Sequence, residues 1–454
     1  MDFVSTALVT LKQPTGMWVK ILNAFKGAGS YIVAVILIAI IIRVIFSVVD
    51  VVNKKVNMKN MKLNEKMRPE LEAIQKKYGH DPKIMQAKQN EIYKKYQFNM
   101  MGTCLPMLIT MVLQFAVFLT LWNSLQAVAN YNIVEKYENM KGVYVSVIEL
   151  NEDVAGYEIF KKDLSDAIEQ EKDYEFVIKI NEKKSELQIV LKVDSVPSAP
   201  ITLKWNKNLE LKKTYELLQQ YVFEPEEETD PPAEGEVEQS SIVAFAEDVD
   251  VDEDKVDYIP TGYNAIFKAL AEQAAEQYYL ESQEGFLWIK NYYKADSPKS
   301  PLFTKKEIKS YLSKYYSKAE KDLQKQFDYE GTIFDCVVTA GIGQKKLGAN
   351  GYYILTIIAI AVSVFSMWLS NFLMKDRNAA KPQKKSWMMY VIMPLIFGIF
   401  TFMYTSLFAV YIITGQLVMI VFTPLTTFIV KKWLAHDENK KKDKNVIEVD
   451  YRRK

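Results

Sequence analysis

Residues 39–49 read AIIIRVIFSVV, an arginine set inside a run that is otherwise almost wholly apolar. From Ser30 to Val49 the chain offers about twenty mostly apolar residues, the length a helix needs to cross the hydrocarbon core of a bilayer. Arg43 falls inside that run. A guanidinium at such a depth costs roughly 3 kcal/mol on insertion scales and more in simulations, so its side chain is expected to face a bundle interior or a water-filled cavity. Snorkelling is the competing reading: Asp50 follows seven residues later, about 10 Å along a helix, and a long side chain can reach toward the headgroups over that distance. This helix taken alone does not decide between the two.

The segment that follows, 53–99, is basic and contains KMRPELEAIQKKYGHDPKIMQAKQNEIYKKYQFN. Met67, Leu71, Ile74 and Tyr78 step by four, three and four residues, which makes one apolar stripe on a helix. Gly79, Asp81 and Pro82 then predict a helix stop, an N-cap and the first position of a second helix. Met85, Ile92 and Tyr96 give that second helix a matching stripe, and Lys94 and Lys95 close it. Pro69 is predicted to kink or restart the first arm. A helical hairpin results, and it leads directly into MGTCLPMLITMVLQFAVFLTLW at 101–122. Thr110 and Gln114 lie one turn apart there, on a face that either water or interhelical hydrogen bonds could use.

An arginine-bearing first helix, a basic hairpin with PEL (69–71), IQKKY (74–78) and YKKY (93–96), a GxCLPML approach to the next span and three closing spans resemble the YidC/Oxa family of membrane protein insertases. The resemblance covers about 18–127 and 352–434, with a fragment at 285–298, GFLWIKNYYKADSP, similar to the family's FLWI-type link. It implies a five-span form of the Gram-positive kind with a large external insertion. Gram-positive relatives commonly begin with a lipoprotein-type signal, and this sequence has no cysteine near its start to lipidate. By resemblance, nascent membrane proteins are the clients, and the hairpin and a basic tail meet clients, the ribosome and signal recognition components. The Sec translocon is a further expected partner. Tyr411 and Thr414 in the last span, AVYIITG, resemble polar or aromatic positions of the closing helix, with Ile412 where relatives often carry a second aromatic. Arg43, Thr110, Gln114, Tyr411 and Thr414 are therefore the expected client groove, and Met67, Leu71, Ile74, Tyr78, Lys94 and Lys95 the expected hairpin site.

The remaining chain is read by pattern. Residues 1–29 form a short tail and an interfacial amphipathic helix, with Trp18, Ile21, Leu22 and Phe25 at helical spacing. No cleavable signal peptide is expected, because the first long apolar run ends at a charged segment. Transmembrane helices are placed at 30–49, 101–127, 351–374, 388–404 and 407–430, with the hairpin at 50–100. Lysine and arginine crowd the hairpin, the loop 375–387 and the tail 431–454, so all three are expected in the cytoplasm and the N-terminus outside. The tail is expected to be disordered and to meet anionic lipid or the ribosome. Residues 128–350 are then an extracytoplasmic insertion: an α+β part at 128–222 with strands near 174–180, 186–193 and 201–205, an acidic linker at 223–258, and a helical part at 259–350 that holds the link.

The fold class expected is thus a mainly α membrane protein, five transmembrane helices with a cytoplasmic helical hairpin plus an inserted α+β domain, in a bacterial cell membrane. Of 454 residues 49% are hydrophobic and 25% charged, the net charge is +1, and there are two cysteines and two histidines. A balanced charge gives no reason to expect specific DNA binding, and so few histidines and cysteines leave little from which to build a zinc site or a catalytic triad. Cys104 and Cys336 fall in segments expected on different sides, so no disulfide is expected. The acidic run DVDVDED lacks the glycine and glutamate spacing of an EF-hand. No phosphate-binding loop, nucleophile elbow or HExxH helix is present, so neither a cofactor nor enzymatic activity is expected. Two other readings remain: a secondary transporter with Arg43 in a substrate site, disfavoured by the lack of an inverted repeat, and an anchored external binding protein that uses residues 129–350.

Overall fold

α1 (Met17–Lys26) buries Val19 and Leu22 and leaves Met17 exposed; of the expected stripe Leu22 is buried and Trp18, Ile21 and Phe25 are half-buried. The computed structural model describes residues 11–27, 29–96, 98, 100–207, 209–223, 263–313, 320–345, 347–374 and 387–452. The acidic linker and nearly all of the basic loop after the third apolar helix lie outside these residues. The chain divides into two compact units, one of residues 13–131, 284–301 and 348 onward, the other chiefly of 132–283 and 302–347.

In the first unit α2 (Tyr31–Tyr78) is one unbroken helix of 48 residues, a rod on the order of 70 Å long. The helix therefore does not restart at Pro69, one of the two outcomes expected there. Proline removes one backbone donor and displaces the carbonyl four residues earlier; Pro69 and Glu65 are both exposed, so water can satisfy that carbonyl and the helix continues. The membrane run and the first hairpin arm are therefore a single element. Gly79 ends it in right-handed conformation, and a Cβ there would come within 2.6 Å of the Gln75 carbonyl oxygen. α3 (Pro82–Lys95) starts as its sequence predicts, with the Asp81 carboxylate accepting from the Lys83 and Ile84 amides at 3.0 and 3.2 Å and Pro82 in the first turn.

α4 (Met100–Ile148) runs 49 residues and belongs to both units, and its helix continues well past residue 127, where the expected span ends. α10 (Ile354–Met374), α11 (Trp387–Met403) and α12 (Ser406–Arg452) complete the first unit. The tail expected to be disordered is helical as far as Arg452. Residues 431–452 hold neither proline nor glycine, and acidic and basic side chains alternate at distances that support a helix. Among the described residues four helices, α2, α4, α10 and α12, are long and apolar enough to cross a membrane, while α11 is apolar but only 17 residues long.

The link 284–301 ties one end of this unit together. The wholly buried Asp296 carboxylate accepts from the backbone amides of Tyr352, Tyr353 and Leu355 at 2.8, 3.1 and 2.6 Å, which caps the start of α10. Gly351 is required beside it, since a Cβ would fall 1.9 Å from Asp296 Oδ1. The amides of Ser406 and Leu407 donate to the carbonyls of Lys294 and Tyr292 at 2.8 and 3.0 Å, capping α12. The Tyr31 ring at the start of α2 meets Tyr293 edge to face at 6.3 Å. One loop thus fixes the N-terminal ends of three helices.

The second unit contains the end of α4, α5 (Tyr157–Glu169), an antiparallel sheet, α6 (Leu211–Phe223), α7 (Tyr263–Glu281), α8 (Lys305–Leu312) and α9 (Glu320–Phe334). Strand β1 (Tyr174–Asn181) pairs with β2 (Glu186–Val193) from Tyr174 opposite Val193 to Asn181 opposite Glu186. β3 (Val196–Pro197) and β4 (Ile201–Lys204) pair with β2 as well. Leu187, Ile189 and Leu191 alternate into the core, the period that marked these strands in the sequence. Burial pushes the free thiol of Cys336 up to about 11, so it stays an unreactive thiol.

The core of this unit contains a charge cluster. Lys141 Nζ donates to Glu138 Oε1 at 2.9 Å and lies 3.6 Å from Glu330 Oε1, and none of the three side chains is more than 3% exposed. Desolvation pushes the Glu138 carboxyl up; Lys141 opposes this and Glu330 adds to it. Removing the base takes away the ion pair of the buried Glu138 carboxylate. Lys141→Met is expected to destabilise the unit by about 3–5 kcal/mol. Limited proteolysis of the full chain in detergent checks this, with cleavage within 132–347 expected at lower denaturant than in the parent protein.

Candidate functional site

Arg43 is half-buried on α2, and its guanidinium lies against the backbone of α12 at Gly415, the one glycine of that helix. A Cβ at Gly415 would come within 3.0 Å of Arg43 Nε and 3.3 Å of Nη2. Glycine is what lets a planar cation lie this close to a neighbouring helix. Tyr411, one turn earlier on α12, is 7% exposed, and Arg43 acts on it electrostatically. Its ring stacks on Phe408 at 6.1 Å. Thr414, beside Gly415, is half-buried. Of the expected groove residues, the structure therefore brings Arg43 and Tyr411 together.

Thr110 belongs to a second polar layer. It is buried on α4 and accepts from Asn53 Nδ2 at 3.0 Å. Gln114 lies one turn further along α4 and is half-buried. The next residue of α2, Lys54, donates to Thr426 Oγ1 of α12 at 2.6 Å, and its Nζ lies 3.4 Å from the Thr423 carbonyl oxygen. Consecutive side chains of α2 thus bond to two different helices. Lys55 continues the seam, with its ammonium 3.3 Å from the Trp433 ring centre and 2.9 Å from Asp437 Oδ2.

Sequence reasoning missed Asn53, Lys54, Gly415 and the Thr423, Thr426 and Thr427 cluster. Lys54 was read only as one of the lysines that set topology. Its signal was present in helix arithmetic: it is eleven residues from Arg43, close to three whole turns, and so shares the same face. The TPLTT run at 423–427 was the matching signal on α12.

Around this polar seam the helices are apolar on the outside. α4 exposes Leu108, Ile109, Met111, Val112, Leu113 and Phe115, a surface suited to acyl chains and not to water. Phe118, by contrast, packs edge to face on Phe400 and Phe408 at 5.5 and 5.4 Å. Among the described residues no group of three or more His, Cys, Asp and Glu side chains could hold a metal ion.

In the hairpin, Met67 is completely buried and Ile92 nearly so, while Leu71, Ile74 and Tyr78 are half-buried along the same stripe. The arms are tied by Glu70, which accepts from Lys95 Nζ and from the Tyr96 hydroxyl, both at 2.7 Å. These hydrogen bonds hold the Glu70 carboxyl below its ordinary range, that of Lys95 first and that of Tyr96 second. Lys94 is exposed.

Residues 22–172 match the family described as 60Kd inner membrane protein. A membrane protein insertase YidC of Clostridium tetani is 31% identical over 105 residues, which is 23% of this chain and 46% of that relative. The protein of that name from Fusobacterium nucleatum is 39% identical over 59 residues, 13% of this chain and 29% of its own. That of Helicobacter pylori is 28% identical over 125 residues, 28% of this chain and 22% of its own. The chain spans less than half the length of these relatives. No solved structure matches it significantly. With bacterial relatives and four helices long enough to cross, the chain is a multi-pass bacterial membrane protein.

The Glu70 tie gives the hairpin a defined pH response. A carboxyl whose folded pKa is depressed adds stability that is present above its unfolded value, about 4.3, and is lost as pH falls through the folded value. The distance between spin labels at the exposed positions Gln75 and Gln86 should therefore be sharply distributed at neutral pH and broaden below about pH 4. In E70Q the broadening is expected already at neutral pH.

Proposed function

We propose, on the premise that the chain belongs to the YidC/Oxa family, that it is a membrane protein insertase and chaperone. It moves short hydrophilic segments of nascent clients through a polar groove and releases their apolar segments into the bilayer. The observation that carries this reading is Arg43, half-buried inside an apolar helix and seated on the backbone of α12 at Gly415. A cation in that position holds water in the low-dielectric region and attracts client carboxylates more strongly than it would in bulk water.

No bond is made or broken in this process, so it is not an enzymatic reaction. A client segment with acidic residues enters from the side of the hairpin and exchanges part of its hydration for the groove's polar groups: Arg43, Tyr411, Thr414, Thr110 and Gln114. The polar segment crosses a shortened apolar path, and the client's apolar segment passes along α10 and α12 into lipid. The hydrophobic effect drives release, and the membrane potential adds about 2.3 kcal/mol per charge per 100 mV for an acidic tail moving outward. The groove is open to the cytoplasm, and the link 284–301 closes its outer end by fixing the starts of α2, α10 and α12.

We place five spans in the membrane and count α11 as the short one, with the N-terminus outside and the hairpin and C-terminus in the cytoplasm. The basic residues that follow α2 and α12 support this orientation. The hairpin, through Met67, Leu71, Ile74, Tyr78, Lys94 and Lys95, and the basic end of α12 meet clients, the ribosome and signal recognition components. The Sec translocon is a partner for clients with larger translocated segments. The unit within 132–347 is an external insertion that the insertase reaction does not require.

The test is insertion into liposomes that contain the purified protein, using a ribosome-made single-span client with a short acidic tail and scoring protease protection of the tail. Protection above empty liposomes is expected. Arg43→Ala should lower it more for an acidic-tailed client than for a strongly hydrophobic one, by about tenfold in the ratio. Gly415→Val, which pushes a branched side chain into the guanidinium's place, should act in the same direction. Equal loss for both clients would remove the groove mechanism. A protein lacking 132–283 and 302–347, with short linkers that retain the link 284–301, that keeps its activity would separate the insertase from an anchored external binding protein.

A further inference from the structure

Three charged side chains share one face of α2. Asp50 follows Arg43 by seven residues and Lys54 by eleven, so each lies within about 20° of Arg43 around the helix axis, roughly 10 and 16 Å along it. The same face is the one that α12 covers. Arg43 meets α12 at Gly415 and Lys54 meets it at Thr426, and those partners are also eleven residues apart. Equal spacing on both helices means that α2 and α12 run parallel and in register over three turns. The face between the two contacts holds Asp50, which is half-buried and on which both Lys54 and Arg43 act electrostatically.

We infer that Lys54 and Asp50 set the charge selectivity of the groove: Lys54 is a second anion subsite at its mouth, and Asp50 is the internal counter-ion that a client carboxylate must replace. This rests on the groove reading above. The geometry supports the two roles separately. The hydrogen bonds of Lys54 across to α12 go to a threonine hydroxyl and a backbone carbonyl, and an incoming carboxylate is a stronger acceptor for an ammonium than either. Asn53, beside it, bonds to Thr110 on α4, so the subsite is anchored between α4 and α12 and does not swing freely. Asp50 lies between the two cations, so the face carries alternating positive, negative and positive charge. A client carboxylate that arrives at Lys54 and moves to Arg43 passes Asp50, which repels it and prevents either cation from holding it permanently. The net charge of this face is +1 with Asp50 ionised, and neutralising Asp50 would make it +2.

The experiment uses the full-length protein in liposomes and two clients that differ only in the translocated tail, one with three aspartates and one with three asparagines. The reading is the ratio of protected acidic to protected neutral tail. Lys54→Gln should lower that ratio about fivefold, and Lys54→Arg should restore it. Asp50→Asn should raise it by a similar factor, and Asp50→Glu should return it to the parent value. Parallel binding of the same two tails, as labelled peptides, to the protein in nanodiscs should show the same order, with the preference for the acidic tail falling as salt rises. Ratios that do not move in either assay, or that move alike in Lys54→Gln and Asp50→Asn, overturn the inference while leaving the insertase reading in place. A parent protein that protects neither tail beside a working control insertase removes that reading, and this inference with it.

Discussion

The constraint on which the structure depends is a guanidinium held inside an apolar helix. Such a group needs water, counter-charge or backbone dipoles on the side away from lipid, and α12 supplies that side at Gly415. Everything adjacent follows from keeping the two helices at that distance. Without a side chain at 415 the helices approach closely enough for Lys54 to reach Thr426 and for Lys55 to reach Trp433 and Asp437. Along α2 the seam carries Arg43, Asp50 and Lys54, and the apolar Ile42 and Phe46 are buried on the same helix.

The link 284–301 caps the helix starts of this unit with backbone chemistry. Asp296 takes three amides at the start of α10, and the carbonyls of Tyr292 and Lys294 take two at the start of α12. These are donors that every helix leaves unpaired and that hydrocarbon cannot satisfy. Capping them by one buried loop removes the need for water at that end.

Much of this was legible in the sequence because the signals were local. A charge inside an apolar run identifies itself, as Arg43 does, and so does a Gly, Asp, Pro succession between two apolar stripes. Alternation placed β1, β2 and β4 within a residue or two. What was not legible depended on partners remote in sequence. Lys54 looks like any lysine after a membrane span until Thr426 is beside it. Gly415 looks like a tolerated glycine until Arg43 rests on it. At Pro69 the helix does not restart: the rule that proline breaks a helix describes the lost hydrogen bond and the crowded carbonyl, but at an exposed position water takes over that carbonyl. The end of α4 was misplaced for a related reason, since the change in composition after residue 127 marks the end of an apolar surface and not the end of a helix.

The continuity of α2 has a mechanical consequence. A hinge at residue 50 or 69 would let the hairpin move while Arg43 stayed still. With no break between Tyr31 and Tyr78, any tilt of the hairpin arm is transmitted along the rod to the membrane part of the same helix. Two groups of contacts resist that tilt. The link holds the N-terminal end through Tyr31, and Lys54 and Lys55 hold the helix to α12 where it leaves the apolar region. The hydrogen bonds of Lys54 and the ion pair and cation–π contact of Lys55 are weaker than a packed apolar core and are open to competition from other charges. A ligand that competes for Lys54 or Lys55 would therefore loosen the hold of α12 on the rod that carries the hairpin arm.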